Sequence, residues 1–125
     1  MKRREAREKA LQTLFQLENT ELTIQEAMEH VMEEQTDEFY EKLVSGTVQH
    51  QSEIDAALAE KLENWSFDRI AKIERTILRL AAYELMYTLE TPKSVVLNEA
   101  IELSKTFGDD KSSKFVNGVL SKFVE

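Results

Sequence analysis

Apolar residues recur at intervals of three and four along most of the chain, the spacing of a helix face rather than the alternation of a strand. Over residues 3 to 17 the stripe is Ala6, Ala10, Leu11, Leu14 and Phe15. Thr23 and Glu26 stand at capping-box spacing and open a second helix that turns Ala27, Met28, Val31 and Met32 inward. A third helix starts near Asp37 and carries Phe39, Tyr40, Leu43, Val44, Thr47 and Val48. Ser52 is placed to cap a fourth, with Ile54, Ala57, Leu58, Leu62 and Trp65 on its inner side. Ser66 is placed to cap a fifth, in which ILRLAAYELMY is apolar on nearly every side, as a helix surrounded by others must be. Pro92 breaks the chain, and Ser94 opens a sixth helix that ends at Gly108. A seventh runs from about Ser112 through Phe115, Val116, Val119, Leu120, Phe123 and Val124.

The composition agrees with an all-α chain. It has 3 glycines and 1 proline, too few turn residues for a many-stranded sheet. Gly46 and Gly118 fall inside helical patterns, where glycine costs about 1 kcal/mol relative to alanine, so close helix packing is expected at both. At 125 residues, with neither linker nor internal repeat, a single domain spanning residues 1–125 is expected. No apolar run approaches the roughly 18 residues of a membrane span, and none follows the charged start as in a signal peptide. The chain has no cysteine, which excludes disulfides and thiolate metal sites and suits a reducing compartment. A soluble, cytoplasmic protein is expected.

Charge changes the picture more than composition does. The net charge is −8, yet the chain begins MKRREAREK, with Lys2, Arg3, Arg4, Arg7 and Lys9 against Glu5 and Glu8. Residues 18 to 63 hold 13 acids and 2 lysines, and the remainder is balanced. Such a molecule repels a polyanion over its middle third and attracts one only at chosen places. At 100° per residue Arg3, Arg7, Ala10 and Leu14 lie within about 60° of one another, so one stripe passes from cationic to apolar. That pattern puts the arginines outside the packed body or at its edge. The competing explanation is a set of surface i,i+4 pairs, Arg4 with Glu8 and Glu5 with Lys9.

Catalytic chemistry is not signalled. His30 and His50 stand apart from any metal-binding spacing, no glycine-rich loop can hold phosphates, and no pair among the many acids is singled out as acid and base. No enzyme activity, cofactor or metal is expected. If the anion met by the arginines is nucleic acid, single-stranded RNA suits an isolated basic patch with nearby aromatics, where phosphate contact and base stacking combine. Phe15 and Phe115 are the stacking candidates, although each also lies on an apolar stripe that core packing explains.

At SVVLNEAIELSKTFG, followed by SSKFVNGVLSKF, the chain resembles the NusB family of transcription antitermination factors. The arginine-rich start with REKALQTLFQ and the segment RIAKIERTILRLAAYEL extend the resemblance over nearly the whole length. It implies a bundle of seven helices in two subdomains and a non-catalytic, RNA-binding role. Members recognise the boxA element of nascent ribosomal RNA leaders together with NusE, a small-subunit ribosomal protein, and join the transcription elongation complex to suppress premature termination. By position, Lys2, Arg3, Arg4 and Arg7 match the family's arginine-rich motif, and Phe15 sits where a tyrosine is usual at the RNA surface. Lys114 and Phe115 match positions near the RNA. Glu74 and Arg79 match positions at or near the NusE and RNA surfaces. Lys111 stands where an acid is common and Ser121 where aspartate is, which leaves family rules for that loop open. A stand-alone helical module related to the RNA-binding part of ribosomal RNA methyltransferases, or a purely protein-binding one, is the alternative; oligomeric state, a homodimer included, is left open.

Overall fold

The computed structural model describes residues 1–62, 66–88 and 90–124. Among these the regular elements are seven α-helices: α1 (Arg3–Asn19), α2 (Ile24–Met32), α3 (Glu38–Gln49), α4 (Gln51–Lys61), α5 (Lys72–Tyr87), α6 (Lys93–Phe107) and α7 (Asp110–Ser121). One 3-10 turn, Phe67–Arg69, precedes α5. Helices α1 to α3 pack together, α6 lies along α7, and α5 touches α1, α3, α4, α6 and α7. The two groups of helices therefore share α5 as their common wall, as its nearly all-round apolar sequence requires.

The core is continuous through both groups. Leu11 and Leu14 from α1, Leu43 and Val44 from α3, Ile54 and Leu58 from α4, Ile77, Leu78 and Leu80 from α5, and Val116 and Leu120 from α7 belong to one cluster. Of the polar groups that enter it, Thr13 and Tyr40 share a hydrogen bond of 2.6 Å between α1 and α3, whereas the buried Thr47 hydroxyl has no partner among the described residues. Burial pushes the Tyr40 phenol above its ordinary range.

Helix starts follow local chemistry, and several differ from expectation. The Thr23 and Glu26 capping box is present, each side chain bonded to the other's backbone N–H. Asp37 caps α3 through the Tyr40 N–H. Ser52, by contrast, lies inside α4, because α3 and α4 are nearly continuous through His50. The His50 N–H closes on the Gly46 carbonyl, and the His50 carbonyl accepts from Ile54, so no capping loop intervenes. Ser66 opens only the 3-10 turn, and buried Ile70 draws the chain inward before α5 begins at Lys72. Pro92 takes the capping position assigned to Ser94; a residue without an N–H loses nothing there, and its carbonyl accepts from Val95 and Val96. Helix α7, expected from about Ser112, begins at Asp110 and is capped by Asp109, which accepts from the Ser112 N–H at 2.8 Å. Trp65, expected inward, lies outside the described residues.

The two helical glycines divide. A Cβ on Gly46 would stand 2.2 Å from a Tyr83 ring carbon, so close packing explains this glycine. A Cβ on Gly118 would meet nothing within 4 Å, and the packing expected there is absent.

Candidate nucleic-acid interface

The basic start occupies the first turns of α1, where three arginines have three different fates. Arg3 is exposed, with its guanidinium carbon 4.2 Å from the centroid of the Phe39 ring at the start of α3. A guanidinium stacked on a ring keeps its edge N–H groups directed outward, so it can still meet a phosphate. Arg4 turns the other way and donates through Nε and Nη2 to Glu99 of α6, both at 3.1 Å. Arg7 points inward.

Arg7 overturns the expectation that this stripe projects from the body. Its side chain is 4% exposed and is held in a two-pronged pair with Glu84 of α5, at 2.7 and 2.9 Å, while Glu84 is 2% exposed. Phe39 covers it from outside, 5.1 Å from the guanidinium carbon. The physical reason is the partner: a cation can lie on an apolar stripe when a carboxylate waits inside with matching geometry. The signal lay in AAYELMY, where a lone acid within an apolar run demands a buried cation.

The remaining candidates spread over other elements. Lys2 is exposed at the N-cap of α1, and Phe15 is half-buried on the same helix. Lys114 is exposed on α7; Phe115 beside it is half-buried and packs against the core, so it presents only part of its ring. Lys111 is exposed in the first turn of the same helix. Glu74 is half-buried in the first turn of α5.

Arg79 is engaged inside the fold. It bonds Asp55 of α4 at 2.8 and 3.0 Å and lies 3.6 Å from Glu18 of α1, which also binds Arg75. Phe67 of the 3-10 turn flanks it at 5.1 Å. This network ties α1, α4 and α5 together beside a cleft of about 210 Å³ lined by Leu14, Leu17, Ile24, Val48 and buried Thr47. The residues that sequence reasoning missed are thus the anchors: Phe39, Glu84, Glu99, Glu18 and Asp55. Apart from the lone acid Glu84 in AAYELMY, no local motif marks them, because each is chosen by a cation far away along the chain.

His50 belongs to a separate cluster. Its ring stacks on Tyr87 at 4.1 Å, and both side chains bond Glu53, which holds that carboxyl below the usual carboxylate range. Among the described residues no group of histidines and acids is arranged to hold a metal ion, and no helix is long and apolar enough to cross a membrane.

Comparison with known proteins matches residues 4–125 to the NusB family model. The transcription antitermination protein NusB of Lysinibacillus sphaericus is 70% identical over the whole chain and 98% of its own length. Its Bacillus subtilis counterpart is 57% identical, over 97% of this chain and 93% of the relative. Among solved structures, T. maritima NusB superposes with a TM-score of 0.89 at 34% identity, over 98% of this chain and 90% of that one. NusB in a crystal structure of antitermination factors NusB and NusE with double-stranded RNA gives 0.87 at 34% identity, over 97% and 94%.

Proposed function

The chain belongs to the NusB family, and from that premise we propose that it is a transcription antitermination factor that binds boxA-type leader RNA together with NusE. It works in the cytoplasm as a non-catalytic adaptor on the elongation complex, and residues 1–125 act as one RNA-binding unit. The observation that carries this reading is the match to antitermination proteins from end to end of the chain.

The geometry supports a division of labour. Lys2 and Arg3 meet phosphate, being exposed cations at the tip of α1 on an otherwise acidic molecule. Arg4 joins them once released from Glu99. Arg7 contributes by fixing that tip against α5 rather than by touching RNA. Phe15, Lys114 and the uncovered part of Phe115 supply stacking and a further phosphate contact, which favours single-stranded segments whose bases can splay. Glu74 faces the protein partner, and Arg79 holds the surface beneath in shape through Asp55 and Glu18.

Binding of a boxA-type oligonucleotide, with and without NusE, by mass-resolved titration tests this reading. Replacing Lys2 and Arg3 with alanine is expected to weaken binding severalfold and to flatten the plot of log affinity against log salt by roughly 0.7 for each phosphate no longer neutralised. Unchanged affinity in that double variant refutes the assignment of RNA contact to the α1 tip.

A further inference from the structure

We infer that Glu99 is a built-in competitor of RNA for Arg4, withholding one phosphate contact and so lowering affinity; this rests on the RNA-binding reading and adds a residue that restrains it. Both donors that Arg4 turns toward α6 are occupied by the two oxygens of one carboxylate. A guanidinium fork fits carboxylate and phosphate equally well, so the two ligands are mutually exclusive on that edge. The Arg4 side chain is 61% exposed, so an incoming strand can reach it.

The surroundings favour the resident carboxylate. Glu8, Glu99 and Glu102 line a recess of about 120 Å³ around Arg4, together with Leu103 and Thr106. One cation thus stands among three acids, and a phosphate approaching from this side meets net negative charge. The Glu99 side chain is only 16% exposed, so it is poorly placed to regain full hydration once its partner leaves. Arg3, one residue earlier, rests on the uncharged Phe39 ring, which does not compete for a phosphate. Adjacent arginines are therefore held in two states, one ready and one restrained. Neutralising Glu99 converts Arg4 into an additional phosphate contact.

The experiment compares the unsubstituted protein, E99Q, R4A and the R4A/E99Q double variant, each titrated with the same single-stranded boxA-type oligonucleotide across a salt series. E99Q is expected to bind about threefold or more tightly at low salt, with the log affinity against log salt slope steeper by roughly 0.7, one more phosphate on a single strand. In the R4A background the same substitution leaves the slope unchanged. Weaker or equal binding by E99Q overturns the inference, because Glu99 then positions Arg4 or plays no part. An equal steepening without Arg4 overturns it too, since simple repulsion then explains the gain. Absence of salt-sensitive binding in the unsubstituted protein refutes the functional reading itself, whereas salt-sensitive binding with an unmoved E99Q refutes this inference alone.

Discussion

Arg7 and Glu84 meet almost out of contact with water, and a buried charge deprived of its partner is among the most costly changes a side chain can undergo. Arg7→Ala is expected to destabilise the fold by about 3–5 kcal/mol, measured by urea unfolding, because Glu84 is left uncompensated. The paired replacement R7M/E84L, which substitutes apolar volume for both charges, should recover most of that loss. Alanine at Arg7 therefore reports on folding, and RNA experiments belong on Lys2 and Arg3. The helical glycines make an opposite pair. Gly46→Ala forces a methyl group onto the Tyr83 ring and is expected to cost roughly 1–3 kcal/mol. Gly118→Ala adds one in open space on α7 and is expected to stabilise by about 1 kcal/mol. Unfolding midpoints that move the same way for both substitutions contradict this assignment.

Helix ends carry the acid sensitivity of the fold. The Thr23 backbone N–H holds the Glu26 carboxyl below its ordinary 4.5, and the Ser112 backbone N–H holds Asp109 below its ordinary 3.8. The His50 side chain does the same for Glu53, which joins α4 to α5 through Tyr87. Carboxyls whose folded values are depressed contribute stability that is fully present above their unfolded values and is lost as pH falls through the folded ones. Urea midpoints are therefore expected to drop as the pH is lowered from about 4.5, at constant ionic strength. Asp109→Asn, which keeps a cap but removes the titration, should flatten part of that dependence. A midpoint that holds steady down to pH values well below 3.8 contradicts the capping assignment.

At the scale of the molecule, a chain of net charge −8 attracts RNA by segregating its charges rather than by being basic. The acidic residues 18 to 63 limit the surface on which a polyanion can settle, and the exposed cations of the α1 tip are the place proposed for it. Seven helices, the central position of α5 and the capping box at Thr23 were legible in the sequence, because periodicity and capping act within a few residues of one another. The starts of α4, α5, α6 and α7 were less so, since neighbouring residues compete for each cap and packing decides among them. The basic start was equally visible, as was its resemblance to an RNA-binding motif. Its internal arrangement was not. Whether an arginine faces solvent, a ring or a buried acid depends on Phe39, Glu84 and Glu99, which lie 36, 77 and 95 residues from Arg3, Arg7 and Arg4. Local pattern determined the helices and the sign of their charges; only the folded packing decided which cations are neutralised, because a Coulomb partner is selected by distance in space and not by distance along the chain.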